Sequence, residues 1–355
     1  MPFQFTGNFI SVPIGVDGRG PFTALFDTGS STFVISPATA KDLHLTPQGS
    51  LPVDGLWEKT VSAALAEVES VQIGGVKLSH LIFAVVDTGD EAFPTVVGCE
   101  VLHQFVVRVD YDAHLLTLTR PDKFVYHGSG VVLPLHFYGN TPAVEGVVDG
   151  VRGLFTLDTG SGFALILFGP FIQAHDLRHK YAAGFAREMG VGVGGAMRAQ
   201  SVHIGSLALG AAEVRGVETD LSADQGGASS AAGVAGNIGE TILKQFNLTF
   251  DYTRGRVILE KNKGYGKAED GHAGLGLEPH GREWRVTSVT PGGAAAQAGI
   301  KEGDQVLQVG GKNAGQLSRL ALWDTFHRPV GTKVWLLLQD GSQKRLVAIT
   351  LGKAP

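Results

Sequence analysis

The sequence predicts an all-β protein with a few short helices: a duplicated β-barrel, followed by a smaller β-sandwich or barrel that carries helices of its own. Three observations predict it. Glycine accounts for 50 of 355 residues while charged side chains make up only 18%; the first figure is about twice the usual share and the second is below it. Two stretches repeat at a fixed offset, and the texture of the chain changes after residue 262. Abundant glycine without a collagen period supplies the tight turns that many short strands require.

The repeat is the strongest signal. Phe26-Asp27-Thr28-Gly29-Ser30-Ser31 matches Leu157-Asp158-Thr159-Gly160-Ser161-Gly162, with the aspartates 131 positions apart. Ser70-Val71-Gln72-Ile73-Gly74 matches Ser201-Val202-His203-Ile204-Gly205 at the same offset. Val97-Gly98-Cys99-Glu100 then matches Ile238-Gly239-Glu240-Thr241, and Asp110-Tyr111 matches Asp251-Tyr252, at an offset of 141. Ten extra residues therefore belong to the second copy, in the small-residue stretch 222–233, which reads as a loop tip. The copies span roughly 3–121 and 131–262. This sets lobe boundaries at 1–125 and 126–262, a polar glycine-rich linker over 263–271, and an appended domain over 272–355.

Within the copies, apolar runs at Phe9–Val16, Ala24–Phe26 and Val106–Val109 predict strands. Brief helices are expected near Pro37–Leu43 and Pro170–Leu177, where proline suits a first turn.

A carboxylate on a glycine-permitted loop after an apolar strand is a positioned acid or base. Two such loops related by a pseudo-twofold could bring Asp27 and Asp158 to a shared axis. Like charges at that range cannot both ionise, so one proton is shared. Such a pair can act as base toward water and as acid toward a carbonyl.

The two Asp-Thr-Gly-Ser loops are each trailed by an apolar-apolar-glycine element, Val96-Val97-Gly98 and the weaker Asn237-Ile238-Gly239. Together they resemble the pepsin and retropepsin clan of aspartic peptidases, as two fused retropepsin-like copies, over roughly residues 3–262. The resemblance implies an acid-protease fold and an endopeptidase acting on peptide or protein substrates without cofactor or metal. It implies Asp27 and Asp158 as the dyad, with Thr28 and Thr159 interlocked beneath it. Ser30 and Ser161 would hydrogen-bond the outer carboxylate oxygens, and Gly29 and Gly160 would let the backbone approach. Asn237 departs from the usual apolar residue. Flaps are expected at Leu56-Trp57 and at Gly190–Gly195. The dyad could form within one chain or from the same copy of two chains. A peptide-binding scaffold with an idle or closed cleft is the competing function.

The stretch 272–352 resembles a PDZ domain of the kind attached to bacterial proteases. Its marks are Gly274-Leu275-Gly276-Leu277, a small-residue helix after Pro291, and Gly303-Asp304-Gln305-Val306-Leu307. The resemblance implies capture of a peptide C-terminus by Leu275, Gly276 and Leu277, with Leu317 or Leu320 lining the pocket. The alternative is a domain that only packs against the peptidase. Gln339-Asp340-Gly341 signals a hairpin.

Other motifs have blander readings. Asp87-Thr88-Gly89 falls out of register with any second copy and reads as an exposed turn. His175 and His179 lack the Glu of a His-Glu-x-x-His site and read as surface residues. The single cysteine, Cys99, excludes an internal disulfide and reads as a buried structural thiol. Gly190–Gly195 lacks the lysine of a phosphate loop. A net charge of −5 without a basic stripe argues against nucleic acid. No apolar run reaches the ~18 residues that span a bilayer. The first five residues lack the features of a signal peptide. The compartment is therefore unknown from the chain: cytoplasmic as it stands, periplasmic or secreted if a leader has been removed.

Overall fold

The computed structural model describes residues 1–54, 60–87, 92–192, 195–223, 226–267, 271–281 and 283–353. The expected flap residues Leu56-Trp57 and Val193-Gly194 lie outside them, as do Thr88-Gly89 and, in the linker, Ala268–Asp270. The chain is mostly strand with a few short helices. It forms two compact units, one of Met1–Gly184 and Val191–Gly266, the other of Phe185–Gly190 and Lys267–Pro355.

In chain order the first unit opens with β1 (Gln4–Thr6), β2 (Phe9–Val16), β3 (Arg19–Phe26), β4 (Phe33–Ile35), β5 (Ser50–Asp54), β6 (Thr60–Ile73), β7 (Val76–Val85) and β8 (Thr95–Val97). Then come β9 (Val106–Asp110), β10 (Leu115–Thr119) and β11 (Val131–Pro134). The second lobe has β12 (His136–Tyr138), β13 (Thr141–Val148), β14 (Val151–Leu157), β15 (Leu165–Leu167), β16 (Phe185–Gly192), β17 (Gly195–Leu209), β18 (Ala212–Ser222) and β19 (Gly236–Ile238). It ends with β20 (Phe246–Asp251) and β21 (Arg256–Lys261).

Each lobe folds one eight-stranded sheet. The first has the order β1-β2-β3-β8-β4-β7-β6-β5, and the second has β12-β13-β14-β19-β15-β18-β17-β16, the same path eleven labels later. Burial follows suit: β2 and β13 bury the same positions along eight residues. Asp17-Gly18 and Asp149-Gly150 turn the equivalent hairpins with positive φ at all four residues, as a tight primed turn demands. The first hairpin is one residue longer. Its register slips between Ile14 and Val16, which absorbs the extra residue as a bulge.

A five-stranded sheet, β10-β9-β20-β21-β11, ties the lobes together by pairing β9 with β20 antiparallel, Val109 opposite Leu248 and Val107 opposite Phe250. One apolar cluster draws on both lobes, from Phe26 and Val107 to Phe155 and Phe250. The repeated tyrosines cross between lobes just beyond this sheet. Tyr111 donates to Glu240 at 2.8 Å, and Tyr252 reaches Cys99 Sγ at 3.7 Å. A repeated Gly-Asn turn does likewise: Asn8 donates to the Gly162 carbonyl at 3.0 Å and Asn140 to that of Ser31 at 3.4 Å.

The linker expected over 263–271 is shorter than its polarity suggests. Tyr265 packs edge-on against Phe246 at 5.3 Å and donates to the Glu213 carbonyl, so the first unit runs to Gly266. An aromatic ring among glycines and lysines found an apolar partner that composition could not reveal.

The second unit contains β22 (Leu275–His280), β23 (Glu283–Val289), β24 (Gln305–Val309), β25 (Lys312–Asn313), β26 (Lys333–Asp340) and β27 (Gln343–Thr350), in the order β22-β23-β24-β26-β27 with β25 beside β24. Its own core includes Trp284, Val306, Leu322, Phe326 and Leu336. The helix Arg319–Phe326 starts at Ser318, whose hydroxyl accepts from Ala321 N. Among the described residues no helix is long and apolar enough to cross a membrane.

The two crossing tyrosines differ in what they hold. Tyr111→Phe strips a fully buried carboxyl of its donor, at a cost of about 1–3 kcal/mol, or about 2–4 °C of melting temperature per kcal/mol. Tyr252→Phe loses a weak contact to sulfur and a long, exposed bond of 3.4 Å to the Asn140 carbonyl, and should lower the melting point less. Equal losses in thermal unfolding of the two variants would contradict this ranking.

Candidate active site

Each Asp-Thr-Gly loop begins where two parallel strands end together. β3 runs parallel to β8 and β14 to β19, and the amide of Asp27 bonds the Val97 carbonyl as that of Asp158 bonds Ile238. The chain then turns under its own aspartate. Gly29 N donates to Asp27 Oδ1 at 2.7 Å and Ser30 N at 3.1 Å, while Gly160 N donates to Asp158 Oδ1 at 2.8 Å.

Beneath the carboxyls the threonines interlock. Thr28 N donates to Thr159 Oγ1 at 3.0 Å and Thr159 N to Thr28 Oγ1 at 3.1 Å. Each hydroxyl then donates across to the opposite strand, Thr28 to the Leu157 carbonyl and Thr159 to that of Phe26, both at 2.7 Å. Both threonines are fully buried, so these four bonds hold the loops face to face without competition from water.

The glycines carry the close approach. A Cβ on Gly29 would collide with the Asp158 carboxyl, and one on Gly160 with that of Asp27. Gly98 and Gly239 pass behind the loops, where a Cβ would strike the backbone of Thr32 and Phe163. Beyond them, Cys99 N bonds the Ser30 carbonyl and Glu240 N that of Ser161.

The structure departs from the expected serine roles. The Ser30 hydroxyl turns to the Thr32 carbonyl at 2.8 Å. That of Ser161 is buried and finds no partner among the described residues. The outer oxygen of Asp158 is held instead by Asn237, whose Nδ2 donates to Oδ2 at 2.8 Å. Asn237 is in turn fixed by Thr156, whose hydroxyl donates to its Oδ1 at 2.9 Å. The sequence marks Asn237 only as a departure from an apolar position. The signal was a polar residue inside the run that packs under the loop.

Electrostatically the pair is unequal. Burial pushes the Asp27 carboxyl well above the usual range, and the neighbouring Asp158 charge and hydrogen bond push it further. Burial also raises Asp158, but Asn237, Asp27 and the Gly160 and Ser161 amides oppose that rise. Both carboxyls of the pair are thus raised, and Asn237 donates to the one of Asp158. Beside it, burial raises Glu240 well above its ordinary value and pushes the Cys99 thiol up. Cys99 is thus an unreactive thiol.

The remaining expected residues fall as follows. Leu275, Gly276 and Leu277 do not form a loop: they open the edge strand β22, with a bulge between Gly276 and Leu277. Leu275 and Leu277 pack against the core of the second unit, as does Leu317. Leu320 is half-buried, whereas the same helix sends Leu322 and Phe326 into the core. His179 is exposed beside Asp176 at 3.7 Å. Among the described residues no cluster of His, Cys, Asp and Glu could hold a metal ion.

A family model described as aspartyl protease matches residues 12–101, and one described as PDZ domain matches residues 285–340. The chain therefore carries an aspartyl protease domain and a PDZ domain. No curated protein matches it. Among solved structures it is similar to a photosystem II D1 C-terminal processing protease, at 24% identity over 25% of this chain and 25% of that chain, with a TM-score of 0.24. The match thus spans about a quarter of that protein's length.

A carboxyl whose folded-state pKa is raised stabilises the fold fully below its unfolded value, and that contribution is lost as pH rises through the folded value. Asp27→Asn removes the raised group while keeping an oxygen for the Gly29 and Ser30 amides. Its melting temperature should exceed the parent's at pH 7–8 and match it near pH 3.5, by differential scanning calorimetry across that range. A variant less stable than the parent at pH 8 would contradict the assignment.

Proposed function

We propose that the chain is an aspartic endopeptidase that hydrolyses peptide bonds with a water activated between Asp27 and Asp158, and that its two lobes are copies of one unit. The observation that carries this reading is the crosswise packing of the two loops, each glycine lying against the other lobe's aspartate. It favours a dyad within one chain over one made between chains.

The chemistry follows from a pair that shares one proton. The ionised carboxylate takes a proton from a bound water as the water oxygen attacks the peptide carbonyl carbon. The protonated partner gives its proton to the carbonyl oxygen, producing a neutral gem-diol. The first carboxyl then passes its new proton to the amide nitrogen while the second recovers one from a gem-diol hydroxyl, and the C–N bond breaks. Protons balance over the cycle, and no covalent intermediate forms.

The PDZ domain is a peptide-binding module. We propose that a peptide C-terminus docks along the edge strand β22, adding a strand beside Leu275, Gly276 and Leu277, with Leu317 or Leu320 lining the pocket.

Peptide cleavage assayed from pH 3 to 8 tests the first proposal. Asp27→Asn and Asp158→Asn should each lose at least about a thousand-fold in kcat/KM, and the double variant little more, because the two groups act as one unit. Full activity in either single variant would sink the one-chain dyad. Stable peptide binding without turnover in the parent, with no inhibition by a statine-type analogue, would favour a binding protein with an idle cleft.

For the second proposal, the parent protein with its cleft filled by such an analogue is titrated with a peptide bearing a free C-terminal carboxylate. The same peptide as its C-terminal amide should bind at least about ten-fold more weakly. Equal affinities would rule out carboxylate capture.

A further inference from the structure

The two lobes repeat one strand path, yet one pair of facing residues next to the dyad is apolar in the first lobe and polar in the second. In the first lobe Leu25 on β3 faces Val96 on β8; in the second, Thr156 on β14 faces Asn237 on β19. The positions are equivalent, each lying one residue before the end of its parallel pair. The first pair is apolar, and Val96 packs there with Leu25, Val34, Ala63, Ala84 and Val86. The second pair is polar and buried: Asn237 is 1% exposed and Thr156 7%.

Burying two polar side chains where an apolar pair suffices elsewhere in the same molecule needs compensation. Here every polar atom of Asn237 that meets the site is matched. Its Oδ1 accepts from Thr156, and its Nδ2 is thereby turned to Asp158 Oδ2. With the amide reversed, two oxygens would face each other across the same 2.8 Å. Among the described residues no side-chain amide meets Asp27 in this way, and Val96 stands in the equivalent place. The inner oxygens of both carboxyls meet backbone amides, Asp27 Oδ1 those of Gly29 and Ser30 and Asp158 Oδ1 that of Gly160.

We infer that Asn237, clamped by Thr156, is a positioning residue that makes the two carboxyl groups unequal: it fixes Asp158 as the base toward water and leaves the shared proton on Asp27. This rests on the peptidase reading given above. A donor aimed at a carboxylate favours its charged form, and within a pair that holds one negative charge even a modest preference decides where the charge resides. The division of labour in the first half of the reaction follows. Asp158 accepts the water proton, and Asp27 protonates the carbonyl oxygen.

The other ionisable groups around the pair do not supply this bias. Glu240, with Tyr111 and Lys244 behind it, lies on the Asp158 side, where burial raises it and so favours its neutral form. The Cys99 thiol, near Tyr252 and Glu100, is felt by both aspartates.

The test is a pH titration of the carboxyl carbons of Asp27 and Asp158 in the full chain labelled with 13C-aspartate, assigned with Asp27→Asn and Asp158→Asn. The pH profile of kcat/KM is recorded alongside. Asn237→Val installs the first lobe's residue and should raise the lower of the pair's two apparent pKa values by about one unit, moving the acid limb of kcat/KM with it. Thr156→Val keeps the side-chain shape, removes the clamp, and should shift both in the same direction by less. Moving the polar pair across, by Leu25→Thr and Val96→Asn in a Thr156→Leu, Asn237→Val background, should make Asp27 the group that titrates at lower pH. If Asn237→Val does not fold, the Thr156→Val and transplant variants decide the matter by the same readouts. A lower step that stays within about 0.3 unit of the parent in every folded variant overturns the inference. Shifted titrations without any peptide cleavage would uphold the inequality of the pair while removing the peptidase reading. Cleavage with unshifted titrations would do the reverse.

Discussion

Two carboxyl groups held side by side, that of Asp158 buried and that of Asp27 half-buried, are the constraint on which the first unit depends. The arrangement opposes folding twice, through desolvation and through mutual repulsion. Much of the surrounding order can be read as what holds it in place. The reciprocal threonine bonds fix the loops from below, the glycines allow the loops to meet, and the backbone amides face the inner oxygens. The crossing tyrosines and asparagines then brace one lobe against the back of the other's loop. None of these bonds is large alone. Their value is that they converge on the same two loops from opposite sides.

That convergence explains why the parallel strand pairs are so short. β8 and β19 run three residues each, just long enough to carry an apolar side chain into the core and deliver a glycine behind the loop. A longer strand would carry the backbone past the point where Cys99 N and Glu240 N catch the serine carbonyls. The helices after them, Glu100–Gln104 and Glu240–Leu243, are correspondingly brief.

Much of this was legible in the sequence, because it repeats. The matched registers around Asp27 and Asp158 gave the loops, the strands before them and the glycines after them. The Asp-Tyr landmarks were visible too, although their role as crossing latches was not, since a tyrosine's partner is set by tertiary distance rather than by spacing. The same limit hid Tyr265 in an apparently polar linker. The Gly7-Asn8 and Gly139-Asn140 turns form a matched dipeptide whose bridging role the sequence does not reveal, because glycine and asparagine are common in turns for local reasons alone. The serine hydroxyls depart from expectation for a different reason. A hydroxyl beside a carboxylate has several acceptors within reach, and Ser30 takes the nearby Thr32 carbonyl.

Asn237 is the instructive case, because the sequence flagged it with the wrong sign. A polar residue in a repeated apolar position reads as a weakness of that copy, and judged by packing alone it is one. Its meaning appears only when its strand neighbour is included: Thr156 is also polar where the first lobe has Leu25, so the two departures form a bonded unit. A pair of carboxyls supplied by two identical chains cannot differ at such a position, since any substitution falls on both sides. A single chain with two similarly built lobes is free of that symmetry. It can keep a dry pair beneath one aspartate and a polar pair beneath the other, so that one proton has one preferred home.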